Sequence, residues 1–295
     1  CRRFTHRNGI ERYPKDNSVM EASLPSRRIR LRPRNRANTV LQITLITLVL
    51  LTAYGLVTLD TRNIDVFAAL GNMFNDFRIV FLEARLERLS WFELFRELMI
   101  TVGLGLLTTV TGGIIAFFLS LFAAQNLTPR RVTDAMKALM AFIRAVPTVL
   151  WVLFFAVTTG LGSVAAVIGM TFHSISYLVK AYAETFEELD AGILEALRAS
   201  GANWWQTVFQ AVVPSTASAL LSWTFVRFEI NFSVAIAMGA TAGAGGIGFD
   251  MFMASAFYLD LRELGMFTYA VLIFAILLEW IATRLKETVG IKRPV

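Results

Sequence analysis

Uncharged apolar runs separated by shorter charged stretches dominate the 295-residue chain. A helix crosses a bilayer with about 20 mostly apolar residues, and segments 39–59 and 98–124 each provide such a run. Gly103, Gly105, Gly112 and Gly113 in the second run offer places for close helix approach. The apolar block 138–179 is interrupted only by Arg144 and is too long for a single span. The turn sequence Thr159-Gly160-Leu161-Gly162-Ser163 lies near its middle and divides it into two helices. Runs at 217–240 and 264–283 complete the set, so the pattern predicts an all-α integral membrane protein with six transmembrane helices. Residues 77–95 carry an apolar stripe and predict an amphipathic helix lying partly along the membrane surface. Residues 180–214 predict two short helices. Asp190 caps 191–200, Gly201 closes it with a left-handed turn, and 203–213 continues to Pro214, which opens the next span.

Composition agrees with a membrane protein. Hydrophobic residues make up 56% of the chain and charged residues 17%, against roughly 45–50% and 25% in soluble domains. These proportions argue against disorder and against an ordinary cytosolic enzyme. A single Cys excludes a disulfide framework and a Cys-rich zinc site. Residues 1–37 hold eleven Lys/Arg against three Asp/Glu, a net +8 that leaves −2 for the remainder. This tail runs directly into the first apolar segment, which favours a cytoplasmic juxtamembrane role at anionic lipid over nucleic-acid binding. The apolar stretch is too long and starts too late for a cleaved signal peptide. Cys1 stands in place of an initiator Met and reads as a start inside a longer open reading frame. A processed lipoprotein would also begin with Cys, but it would put the basic tail outside the cell.

Basic residues also mark the 125–143 loop (Arg130, Arg131, Lys137) and the C-terminal end (Arg284, Lys286, Lys292, Arg293). Their alternation along the chain places both termini in the cytoplasm. Segment 60–97, with five Arg and seven acidic residues, is long enough to escape that rule and is placed outside. The expected organisation is a basic tail (1–37), a first helix (38–60) and an external loop with the amphipathic helix (61–97). A core (98–285, with cytoplasmic loop 180–214) and a short cytoplasmic end (286–295) follow.

The loop 180–214 holds five acidic residues and only two basic ones, unlike a plain cytoplasmic tether. Its segment Glu195-Ala196-Leu197, followed by Gly201 and Ala211-x-Val213-Pro214, resembles the EAA loop of ABC importer permeases. That pattern is Glu-Ala-Ala, Gly four residues after the second Ala, and Pro thirteen residues beyond the Gly. Glu195, Ala196, Gly201 and Pro214 match in identity and spacing, while Leu197, Ala211 and Val213 are apolar substitutions. The resemblance implies a coupling helix seated in a groove of a cytoplasmic ATPase subunit, with Asp190, Glu195, Ala196, Arg198, Gly201 and Pro214 as the coupling residues.

Further motifs, in the same order and over roughly residues 98–285, are similar to the phosphonate-importer permease family. They are Ala123-Ala124-Gln125-Asn126, Arg144-x-x-Pro147, Gly160-Leu161-Gly162, His173 with Lys180 and Glu184, Arg227-Phe228-Glu229-x-Asn231, and Gly243-Ala244-Gly245-Gly246-Ile247-Gly248. The family often carries another Arg two residues after Asn231, where this chain has Ser233. The resemblance implies a type I ABC importer permease core in the bacterial inner membrane, moving phosphonate or a related phosphorus oxyanion such as phosphite or a phosphate ester by alternating access. It also implies a second permease copy, two ATPase subunits that bind ATP and Mg, and an external phosphonate-binding protein supplying most of the specificity. The chain itself is expected to hold no catalytic site and no cofactor.

A charge at a helix centre costs at least about 2.5–3.5 kcal/mol on insertion scales, so Arg227 and Glu229 in the fifth span need partners or water. They point to different sides of the helix, whereas Arg227 and Asn231, at i and i+4, share a face. That face either lines an anion path or clamps helices together, with Glu279 as the candidate partner of a clamp. Arg144, His173, Glu229 and Ser233 are the further path candidates. For Arg144, near a span end, snorkelling is the plain alternative; for His173 it is a hydrogen-bonded core histidine. No second His or acidic cluster accompanies His173, so no metal site is expected. Gly243, Gly245, Gly246 and Gly248 lack the Gly-Lys-Ser/Thr and the preceding strand of a phosphate loop. They predict a tight re-entrant turn or gate near the outer mouth. A secondary carrier or ion channel for a small anion is the competing class, although neither repeat symmetry nor a polar filter ring stands out. A membrane scaffold without transport is the third.

Overall fold

The computed structural model describes residues 36–58 and 65–288. The basic tail before Arg36, the 59–64 segment and the residues from 289 onward, on which the orientation partly rests, lie outside the described residues. Every regular element among the described residues is helical, as the apolar pattern requires. Helix α1 (Arg36–Thr58) belongs to one compact unit and is uncharged after its first residue. The second unit begins at Asp65 and contains α2 (Val66–Leu82), α3 (Trp91–Ala123), α4 (Arg130–Ala145), α5 (Thr148–Thr159) and α6 (Ser163–Glu187). It continues with α7 (Ala191–Ala199), α8 (Trp204–Thr207), α9 (Val213–Ala242), α10 (Ile247–Phe252) and α11 (Leu261–Thr288). A π-helical turn, Val208–Val212, joins α8 to α9, and a second, Met253–Tyr258, follows α10.

Five continuous helical stretches among the described residues are long and apolar enough to cross a bilayer. A sixth span exists if α4 and α5 count as one, and these two meet at 86°. The division expected at residues 160–162 is present, but the straight helix expected over 138–159 is not. Pro147 has no N–H to give to the carbonyl of Ile143, and its ring would clash there in a continuing helix. The indole Nε1 of Trp151 donates to that carbonyl instead, at 3.1 Å.

One further expectation needs correction. The amphipathic helix over 77–95 is interrupted: α2 stops at Leu82 and α3 starts at Trp91. Ser90 ends the break by capping α3, its hydroxyl accepting from Glu93 N while the Glu93 carboxylate accepts from Ser90 N. Pro214 stands in the first turn of α9, as expected, although the chain enters that helix without a break from Trp204 onward. The π turn just before it, closed by Val213 N donating to Val208 O, shifts the hydrogen-bond register where the proline enters.

Helices α3, α6 and α9 pack together at the centre of the second unit, around Leu104, Met170, Ala235 and Met238. Gly105 and Gly112 permit this: a Cβ on Gly105 would stand 3.2 Å from the backbone of Phe232, and one on Gly112 would stand 2.9 Å from the Ser174 Cβ. Gly103 has open space and Gly113 only ordinary contacts, so two of the four glycines in this run set the approach. A second cluster, including Leu121, Tyr182, Phe186, Leu194 and Val208, fills the end that carries α7 and α8. A third, including Leu98, Phe232, Ile247 and Phe267, seats α10 and α11 at the other end.

Candidate functional site

The segment from Asp190 to Asn203 folds as its local chemistry requires. The Asp190 carboxylate accepts from Gly192 N at 2.8 Å and so caps α7. At the far end Ala202 N donates to Leu197 O and Gly201 N to Arg198 O, the paired bonds of a left-handed helix stop. Gly201 has φ +85° with open space beside it, so backbone conformation, not crowding, demands glycine there. Asn203 and Gln206 then cap α8 reciprocally, each bond 2.8 Å long. Leu194 is buried, whereas Glu195, Ala196 and Arg198 are exposed, as is Pro214 further on.

The turn 124–128 holds this segment in place. Arg198 donates to Asn126 O at 2.8 Å, and the Trp204 indole donates to Leu127 O at 2.9 Å. The Asn126 side chain donates to Phe186 O. Glu187, at the end of α6, accepts from Gln125 N at 2.8 Å and pairs with Lys137 of α4 at 2.9 Å. Lys137, Glu187 and Trp204 do not belong to the expected coupling set. Ala123-Ala124-Gln125-Asn126 was the sequence signal pointing to this turn.

A polar knot lies between α3, α6 and α9. Arg227 is 3% exposed, and Ser174 and Asn231 are fully buried. Arg227 Nε donates to Ser174 Oγ at 3.1 Å, and the guanidinium lies over the Tyr177 ring, 5.1 Å from its centroid. Asn231 Nδ2 donates to Ser174 Oγ at 2.9 Å and to Thr109 Oγ1 at 2.8 Å. Arg227 and Asn231 therefore do act from one face, through a hydroxyl absent from the sequence reading. Neither terminal nitrogen of Arg227 has a hydrogen-bond partner among the described residues, and no carboxylate there, Glu279 included, pairs with it. Glu229 is half-buried on another side of α9, one turn from the exposed Ser233, whose hydroxyl lies 3.4 Å from Glu229 O.

Arg144, at the last turn of α4, is half-buried and donates to Ser176 O of α6 at 2.7 Å, a link to a neighbouring helix in place of simple snorkelling. His173, half-buried on α6, lies within electrostatic reach of both arginines. Its Nδ1 is sealed and has no hydrogen-bond partner among the described residues, unlike the bonded core histidine of the plain alternative.

The glycine-rich segment turns back after α9. Gly243, Gly245 and Gly246 have positive φ, and Ile247 N donates to Thr101 Oγ1 of α3 at 3.0 Å. A Cβ on Gly248 would overlap the carbonyl of Ile236, so α10 lies directly against the α9 backbone.

The family described as the binding-protein-dependent transport system inner membrane component matches residues 116–289, more than half of the chain. The chain belongs to this family. The phosphate-import permease protein PhnE of Mycolicibacterium smegmatis is 31% identical to this permease over 197 residues, 65% of this chain and 37% of that protein. The phosphite transport system permease protein PtxC of Stutzerimonas stutzeri is 28% identical over 191 residues, 64% of this chain and 68% of that protein. The permease thus spans little over a third of the first relative and about two thirds of the second. A chain of the MetNI methionine ABC transporter, in inward-facing conformations, shares its fold with a TM-score of 0.63 at 19% identity, over 70% of this permease and all of that chain. A chain of an amino acid ABC transporter follows with a TM-score of 0.56 at 13% identity, over 69% of this permease and 99% of that chain. The fold is that of these transporter chains, and the family is that of an inner membrane component of a transport system.

Proposed function

We propose that this permease is the membrane subunit of an ATP-driven importer for phosphonate or a related phosphorus oxyanion, phosphite or a phosphate ester, in the bacterial inner membrane. The relatives named for phosphate and phosphite transport support the substrate class. The exposed side of α7, with Glu195, Ala196 and Arg198, meets a cytoplasmic ATPase subunit that binds ATP and Mg. An external binding protein delivers the anion, and a second copy of the permease completes the path. Both termini face the cytoplasm.

Arg227 is the observation that carries the anion path. It is a nearly buried guanidinium whose partners are a hydroxyl and an aromatic face, with no carboxylate paired to it among the described residues. Attraction between opposite charges is far stronger in a low-dielectric passage than in water. The two terminal nitrogens of a guanidinium also match the oxygens of an oxyanion as a fork. Arg144 and His173 add polar character to the same region.

The competing reading is an interhelical clamp, favoured by the shared bonds of Arg227 and Asn231 to Ser174. Complex yield and phosphonate uptake in reconstituted vesicles separate the two. Arg227→Gln lowers uptake by about tenfold, the scale of one hydrogen bond to a charged group, with yield unchanged; Arg227→Lys retains part of the activity. A clamp predicts lost yield for the Gln variant. Wild-type uptake with Gln at this position removes both readings.

A further inference from the structure

Ser174 uses its whole hydrogen-bonding capacity inside the knot. Its single hydroxyl proton faces two acceptors, Met170 O at 2.8 Å, one turn back on α6, and Asn231 Oδ1 at 3.1 Å. Its two lone pairs accept from Arg227 Nε at 3.1 Å and from Asn231 Nδ2 at 2.9 Å. A hydroxyl has one proton and two acceptor sites, so no capacity is left for an anion. What Ser174 does is fix a neighbour. A bond to Nε sets the direction of the guanidinium within its own plane, and its carbon lies over the Tyr177 ring, 5.1 Å from the centroid. Both terminal nitrogens then keep their donors uncommitted among the described residues. An arginine constrained at Nε and set over an aromatic ring, with the donors of its forked edge uncommitted, is arranged to receive two oxygens of a tetrahedral anion.

We propose that Ser174 and Tyr177 are positioning residues that aim the forked edge of Arg227 at the transported oxyanion. This rests on the anion-path reading of Arg227. Ser174 is the sharper probe, because its Cβ is the atom that would meet a Cβ on Gly112 of α3. Ser174→Ala keeps that Cβ, and with it the helix contact, while deleting the hydroxyl. Thr109 still accepts from Asn231 in the variant, leaving α3 and α9 joined.

The test uses the complete transporter in vesicles and reads three quantities: complex yield, ATP hydrolysis stimulated by the binding protein, and phosphonate moved per ATP hydrolysed. Ser174→Ala is expected to leave yield and stimulated hydrolysis at wild-type level and to lower phosphonate moved per ATP about fivefold, on the scale of a single hydrogen bond. Tyr177→Phe, which keeps the ring, retains the wild-type ratio, and Tyr177→Leu loses it. In an Arg227→Gln background, Ser174→Ala causes no further loss, because it acts through the arginine.

If Arg227→Gln alone leaves uptake unchanged, the path reading fails and the positioning role goes with it. If Arg227→Gln impairs uptake but Ser174→Ala and Tyr177→Leu keep the wild-type ratio, the positioning role alone is overturned. A Ser174→Ala complex that loses yield and hydrolysis in parallel with uptake, or whose defect adds to that of Arg227→Gln, also overturns it.

Discussion

Asp250 is a carboxylate in a poor place for a charge. It lies on α10 between the fifth and sixth spans, and its Oδ2 is sealed without a hydrogen-bond partner among the described residues. Burial pushes its pKa from the ordinary 3.8 up to about 6, and Glu97, Glu263 and Glu93 reinforce the effect while Arg96 opposes it. A carboxyl raised in the folded state favours that state fully below 3.8, and the advantage is lost as pH climbs through about 6. Asp250→Asn should therefore raise the melting temperature of the purified complex by a few degrees near pH 7 and change it little near pH 4. An equal shift at both pH values would show that the charge of Asp250 is not the cause. Sequence spacing put Arg227 and Asn231 on one helix face, because the period of a helix fixes which residues are neighbours. It could not supply Ser174 or Thr109, since no local rule says which helix stands opposite. Glu279 was the expected partner because carboxylates are the usual counter-ions of arginine, and here one hydroxyl and an aromatic ring take that place.

The elements differ in how far local chemistry determines them. Helix α7 was legible to within a residue, since Asp190 and Gly201 are strong boundary signals with a backbone reason behind each. Replacing Gly201 by Val forces a β-branched residue to φ +85° and costs roughly 1–2 kcal/mol, whereas Asn tolerates that conformation better. Amide exchange over residues 190–207 should quicken in the Val variant, ATP hydrolysis should separate from transport, and Gly201→Asn should show a weaker form of both. Wild-type exchange and coupling in the Val variant would exclude this account of the turn. The boundary between α2 and α3 was equally available, because Ser90-x-x-Glu93 before an apolar run is a helix-start pattern. The apolar stripe running across it hid the signal. The bend at Pro147 could be anticipated from the proline, but its stabilisation by Trp151 could not, because that bond forms only once the chain has turned.

For the whole molecule, the apolar runs revealed the helical class and the span regions, since membrane-crossing segments must satisfy their backbone bonds internally. Long-range fastenings left no such trace. The buried Glu263 carboxylate accepts from the backbone N–H groups of Arg88 and Leu89 at 3.1 and 3.2 Å, and Arg262 reaches Glu83 at 3.0 Å. These bonds tie the 83–90 turn to the start of α11, far away in sequence. Lys/Arg placement still makes a global prediction: reporter fusions should put residue 70 outside the cell and the C-terminal end inside, and the reverse pattern would refute the proposed topology. The 124–128 turn has a mechanical consequence. Backbone and side-chain groups of that one turn grip the end of α6, the Arg198 side of α7 and the Trp204 ring, while Lys137 brings in α4. A push on α7 is therefore not absorbed by a soft joint but moves these parts as a block, like a crank on a shaft. Yielding would have to occur where the helices are interrupted, and the interruptions nearest this block are residues 146–147 and the π turn at 208–212.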